Sequence, residues 1–170
     1  MKDLMPFNFK KWIDENREFL KPPVGNRRIW ADRETTVMVV GGPNKRTDYH
    51  VNQGEEFFYQ IEGDMTLRIL IDGKPHDIPI TEGDIFLLPP KVPHSPQRPA
   101  DTVGLVIENP RRTGEKDELF WLCDECGTEV YREKFEMINI ETQFKDVFGR
   151  YYGNEQNRTC QKCGHKNSKN

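Results

Sequence analysis

A chain of 170 residues has room for one hydrophobic core of ordinary size plus a small appendage, which excludes multidomain machinery. Its 25 Lys and Arg against 28 Asp and Glu leave a net charge of -3, so neither a basic nucleic-acid footprint nor an acidic tail is indicated. No apolar run approaches the roughly 18–20 residues of a membrane-spanning helix. The start, Met1-Lys2-Asp3, leads into only a short broken apolar stretch with no signal-peptide core, and a soluble, cytoplasmic chain is expected.

The first predicted element is a helix opening at Asn8, with Phe9, Trp12, Ile13 and Leu20 toward one face and Pro22-Pro23 as its stop. From Asn26 to Glu108 the texture changes to short β-branched or aromatic runs separated by turn residues. Thr35 to Val40 precedes Gly41-Gly42-Pro43-Asn44, Phe57 to Ile61 precedes Gly63-Asp64, and Met65 to Ile71 precedes Asp72-Gly73. Ile85 to Leu88 then runs into Pro89-Pro90, and Val103 to Ile107 into Asn109-Pro110. Many short strands at close spacing predict a mainly β, antiparallel sandwich or barrel over residues 1–110. Arg28 to Trp30 is read as a further N-terminal strand, which with Thr36 to Val40 could pair two copies edge to edge.

Arg111 to Lys116 reads as a polar connector into a second part, residues 111–170. All four cysteines lie there as Cys123/Cys126 and Cys160/Cys163, two Cys-x-x-Cys pairs separated by 33 residues. Four thiolates close a tetrahedral shell around iron or zinc with no vacancy, so this site is expected to be structural. Gly127 and Gly164 after each pair let the backbone turn beneath the sulfurs, and His165 is superfluous to a complete shell. Between the pairs, Phe144, Val147, Phe148 and Tyr151 recur at helical spacing with Gly153 as a cap. Phosphate-loop, dinucleotide-binding and nucleophile-elbow patterns are absent from the sequence.

His50, Glu56 and His94 place two imidazoles and a carboxylate within strand-rich sequence. That donor set suits a divalent metal such as non-haem Fe(II) and leaves coordination positions open for chemistry. The stretch from His50 to Glu56, followed after six residues by Gly63, resembles the first cupin motif; Gly83, Pro89 and His94 resemble the second. One departure is Asn52, where many cupins carry a second histidine, so three protein ligands are expected. Counting back from Gly63 selects Glu56 over Glu55, and strand alternation puts Phe58 and Gln60 on its face. His76, after the Asp72-to-Pro75 turn, is read as an exposed loop residue. Arg46 lies four residues before His50 and Arg98 four beyond His94, so both could face the metal and clamp a substrate carboxylate. Arg98 stands where the second cupin motif usually ends in asparagine. Glu108, at the mouth of a buried strand, needs a partner, and Arg98 or a substrate amine or hydroxyl would supply one.

From about Phe7 to His165 the chain resembles the 3-hydroxyanthranilate 3,4-dioxygenase family, in its short bacterial form with a rubredoxin-like second metal site. The resemblance implies a cupin barrel holding Fe(II) on His50, Glu56 and His94, and a second Fe or Zn on the four cysteines. It implies that Arg98 and Glu108 bind the substrate and that Arg46 lines the carboxylate or dioxygen side. Asn26, Phe58 and Pro96 would shape the pocket, and Glu108 and Arg46 would take part in catalysis. The expected reaction converts 3-hydroxyanthranilate and dioxygen to 2-amino-3-carboxymuconate semialdehyde, a precursor of quinolinate and NAD, in a cytoplasmic homodimer of the kynurenine route of tryptophan breakdown. Two other readings keep part of this pattern. Another metal-cupin dioxygenase or isomerase would retain the triad, and a non-catalytic small-molecule-binding cupin would bind ligand without consuming dioxygen.

Overall fold

The computed structural model of the chain describes residues 5–22 and 25–169, so the leading Met1-Lys2-Asp3 and the stop residue Pro23 lie outside the described residues. Helix α1, Phe9–Asn16, opens where expected, because the Asn8 side chain accepts a hydrogen bond from Lys11 N at 2.8 Å and satisfies an orphan donor of the first turn. It ends sooner than its apolar stripe suggests. Arg17–Leu20 tightens into a 3-10 turn that still delivers Leu20 beside Ile13, Val39 and Val103. Arg17 also bonds Glu62 at 2.8 and 2.9 Å, tying the helix to the barrel.

The barrel is two antiparallel sheets. One has the order β1 (Asn26–Arg28), β2 (Thr36–Gly41), β9 (Val103–Glu108), β4 (Glu56–Glu62), β7 (Ile85–Leu88). The other runs β11 (Glu129–Phe135), β10 (Asp117–Leu122), β3 (Asp48–Val51), β8 (His94–Gln97), β5 (Met65–Ile71), β6 (Lys74–Ile80). Inward residues of both meet in one core: Met38, Phe58, Leu88 and Val106 from the first sheet pack with Met65, Leu67, Ile69 and Ile80 from the second. Period-2 alternation holds along β4, where Glu56, Phe58 and Gln60 are buried while Tyr59 between them is exposed.

The strands that hydrophobic pattern misses are the informative ones. β3 and β8 are short and polar, reading Asp-Tyr-His-Val and His-Ser-Pro-Gln, because they carry site residues in place of core residues. β6 contains Pro75 and Pro79 and lies at the sheet edge beside β5, where a missing N–H costs least. His76 is therefore exposed, as expected, but on a strand instead of a loop. β1 is displaced two residues toward the N-terminus from the expected Arg28 to Trp30.

The sheet crosses the boundary expected at residue 110. β10 pairs with β3 in register Leu119↔His50 and continues the barrel sheet, with β11 beyond it. Helix α2, Ile140–Gly153, covers the extended sheet through Val147 and Tyr151, and Tyr151 stacks on Trp121 with ring centroids 4.0 Å apart. Gly153 ends α2 without the left-handed φ that an αL glycine cap requires. Among the described residues no helix is long and apolar enough to cross a membrane.

Trp121 is fully buried at the junction of β10 and α2. Trp121→Ala is expected to lower unfolding free energy by about 3–5 kcal/mol, read as a reduced urea midpoint in equilibrium unfolding.

Candidate metal centres and their cavity

Residues directly opposite in an antiparallel pair project to the same face, and the register of β3 with β8 puts His50 opposite His94. Glu56 opens β4 on the other sheet and points inward. Two imidazoles from one sheet and a carboxylate from the other thus meet across the interior, with one ligand atom from each within 4.8 Å of the others. All three side chains are buried.

The triad fits a divalent cation on its own geometry. His94 donates from Nδ1 to the Val92 carbonyl at 3.0 Å, so its Nε2 lone pair faces inward. Glu56 Oε2 lies 3.1 Å from that nitrogen without receiving an aligned hydrogen bond. A positive charge between these two buried atoms satisfies both, whether a proton on His94 or a bound metal ion. Burial lowers the pKa of His50, keeping it in the neutral form a metal requires. Burial also opposes the charges of Glu56 and His94, yet their mutual attraction pulls Glu56 down and His94 up.

Every residue the sequence singles out for this site lines one cavity of about 590 Å³: His50, Glu56, His94, Arg46, Arg98, Glu108, Asn26, Phe58 and Pro96. That volume suits a small aromatic molecule. Arg98 is buried with its Nη1 donating to Gln60 Oε1 at 3.0 Å, and it lies over Gly104, where a Cβ would stand 2.8 Å from both terminal nitrogens. Its Nε has no partner, and burial brings its pKa down to about 10 against the pull of Glu56. A buried, incompletely satisfied guanidinium inside a cavity is a site for an anion. Arg46 is anchored by Asp48 and lies beneath the rings of Phe144 and Phe148, 5.4 and 5.9 Å from their centroids.

Of the partners expected for Glu108, Arg98 or a substrate amine or hydroxyl, the fold does not supply Arg98. Glu108 is bonded to Arg111, a residue of the stretch read as a connector, because the chain turns back after β9 and brings that guanidinium under the strand end. Glu108 Oε1 remains without a partner, and burial together with the Glu56 charge raises this carboxyl to about 7 despite Arg111. Asn52 does not substitute for a histidine ligand; its Oδ1 accepts from Gly54 N at 2.9 Å and supports the loop. Glu55 is exposed.

Several cavity residues carry no distinguishing signal in the sequence. Asp48 is hidden in a four-residue strand, and Phe144, Lys145, Phe148 and Tyr152 in α2 look like an ordinary amphipathic pattern. Phe144 packs edge-on against His50, 5.0 Å between ring centroids, and Tyr152 Oη lies 3.0 Å from Thr47 Oγ1. The helix therefore forms the outer wall of the cavity.

The four cysteines form the second centre. Cys123 and Cys163 sulfurs are 3.6 Å apart, as are those of Cys126 and Cys160, and all four lie within 4.8 Å of one another. A tetrahedron with metal–sulfur bonds of about 2.3 Å has edges of about 3.8 Å, so the thiols are arranged for one ion. The two knuckles repeat each other: Gly127 N donates to Cys123 O and Gly164 N to Cys160 O, both at 2.9 Å. Both glycines adopt positive φ, 67° and 75°, as the turn beneath the sulfurs requires. His165 is not part of the cluster.

A family model described as 3-hydroxyanthranilic acid dioxygenase matches residues 1–152. A 3-hydroxyanthranilate 3,4-dioxygenase from Ruegeria pomeroyi is 52% identical over 165 residues, covering 96% of this chain and 92% of that protein. Proteins of the same name from Xanthomonas euvesicatoria and Bacillus cereus are 52% and 47% identical, covering 94% and 96% of this chain and 90% and 92% of their own lengths. Among solved structures, a cupin-2 domain protein from Shewanella frigidimarina aligns at TM-score 0.48 and 19% identity over 62% of this chain and 94% of that one.

Metal analysis after dialysis is expected to find two bound ions per wild-type chain and one in His94→Ala, the remaining ion held by thiolates. Two ions retained in the variant would refute the triad as a metal centre.

Proposed function

The chain belongs to the 3-hydroxyanthranilic acid dioxygenase family, and on that premise we propose that it opens the ring of 3-hydroxyanthranilate with dioxygen to give 2-amino-3-carboxymuconate semialdehyde. The observation that carries the reading is the convergence of His50, Glu56 and His94 in a cavity that also presents the buried Arg98. Fe(II) on the triad would supply open coordination positions where the ring substituents and dioxygen meet, and a route for electrons between them.

The chain's own side chains bind and orient. Arg98, held flat over Gly104 and by Gln60, would take the substrate carboxylate through its planar fork, with Arg46 lining the carboxylate or dioxygen side. Phe58, Pro96 and Asn26 would bound the ring. Glu108 has one oxygen committed to Arg111 and the other free, so it would accept a proton from a ring substituent at Oε1. The α2 wall would limit water access during ring opening. Residues 1–110 would supply the ligands and arginines, and 111–170 would supply this wall and a structural Fe or Zn held by Cys123, Cys126, Cys160 and Cys163.

The protein would act in the cytoplasm as a homodimer, feeding quinolinate and NAD formation from tryptophan breakdown. Supporting a dimer, β1 is an edge strand, and the half-exposed Trp30 beside it packs on Phe7 with centroids 5.7 Å apart.

Ferrous-loaded protein in an oxygen electrode is expected to consume one dioxygen per 3-hydroxyanthranilate and to form a new product chromophore. No oxygen uptake would overturn the proposal in favour of a ligand-binding cupin. Arg98→Ala should raise KM by about 10- to 100-fold, the loss of a charge-assisted pair, with a smaller effect on kcat. Cys160→Ser should lower the thermal midpoint and loosen α2 in hydrogen exchange while some ring opening persists; complete loss of activity in a folded variant would mean the four-cysteine centre takes part in the reaction.

A further inference from the structure

His50 and His94 turn opposite nitrogens toward their supports. His94 gives Nδ1 to a backbone carbonyl, whereas His50 places Nε2 2.7 Å from Asp117 Oδ2, a fully buried carboxylate at the start of β10. Asp117 is in turn gripped by Arg111, with Nε 2.9 Å from Oδ1 and Nη2 2.6 Å from Oδ2, in the two-pronged geometry that keeps a carboxylate ionised. An ionised carboxylate accepts and cannot donate, so the proton of the His50 contact sits on Nε2 and the lone pair is on Nδ1. The remaining terminal nitrogen of Arg111 bonds Glu108, whose strand register sets it opposite Glu56. One guanidinium thus joins the support of a metal ligand on one sheet to Glu108 on the other. Neither Arg111 nor Asp117 carries a signal in the sequence, since Arg111 opens what reads as a linker and Asp117 directly follows it.

We propose that Asp117 and Arg111 are positioning residues of the metal centre: Asp117 fixes His50 as the Nε2–H tautomer with Nδ1 free to ligate, and Arg111 locks Asp117 and Glu108 into one buried unit. The inference rests on the reading of His50, Glu56 and His94 as metal ligands. Carboxylate support of a ligating imidazole raises its basicity and orients the ring, and its loss typically weakens metal binding by about 10–100-fold. An amide at position 117 could offer an N–H to His50 as readily as it offers an oxygen, so Asp117→Asn would release the tautomer without removing volume.

The tautomer is read by nitrogen-15 NMR of wild-type protein with the four-cysteine centre loaded and the triad ion removed, and His50 is expected with its proton on Nε2. A proton on Nδ1 overturns the proposal whether or not any variant folds. Cobalt(II) titration of the same protein, followed by d–d absorption, should then show Asp117→Asn binding about 10–100-fold more weakly, with partial recovery in Asp117→Glu. Arg111→Lys, which keeps the charge but not the fork, should give mixed His50 tautomers. Asp117→Asn affinity within about twofold of wild type would overturn the positioning role while leaving the triad intact. Absence of triad cobalt binding in the wild type itself would overturn the metal reading beneath it.

Discussion

The register that sets His50 opposite His94 is the constraint on which the site depends. β3 and β8 are each only four residues long, and a slip of one residue in either would turn an imidazole away from the interior. Neighbours on both sides resist that slip. β10 pairs along β3, β5 pairs along β8, and the Val92 carbonyl and Asp117 carboxylate pin the two rings from behind. The geometry of the centre is therefore a property of the sheet more than of the three ligands.

The buried charge around that centre is close to balanced. Asp48, Glu56, Glu108 and Asp117 face Arg46, Arg98 and Arg111, so four carboxyl groups meet three guanidiniums beside the imidazoles of His50 and His94. Burying so many ions costs free energy that packed apolar residues would not, and such clusters persist where geometry is needed more than stability. Burial works against the Asp117 carboxylate, yet the bonds from His50 and Arg111 hold its pKa at about 2, so this support stays charged through the physiological range.

The cysteine-bearing segment is more than an appendage. Its first strand, β10, completes the support of His50, and α2 lays Phe144 against both His50 and the Arg46 guanidinium. Asn167, just beyond the second knuckle, donates to Leu122 O and to Tyr151 Oη, so the four-cysteine unit is fastened to the strand that backs His50 and to the helix that walls the cavity.

The spacing of His50, Glu56, Gly63, Gly83 and His94 is enough to read the barrel and the convergence of the two histidines with Glu56, because those residues are tied to short hairpins whose register follows from chain length. The Cys-x-x-Cys pairs are legible for the same reason, since each knuckle is a local turn closed by its own glycine. The polar strands β3 and β8 are invisible to hydrophobic pattern because function has replaced their apolar residues, and β6 because its edge position tolerates two prolines. Only the tertiary structure could decide that Glu108 answers to Arg111 and not Arg98, that Asp117 stands behind His50, and that a helix from beyond residue 110 walls the cavity. Those are contacts between elements far apart in the chain or folded back on themselves. Buried charges choose partners by distance in space, and local sequence carries no measure of that distance.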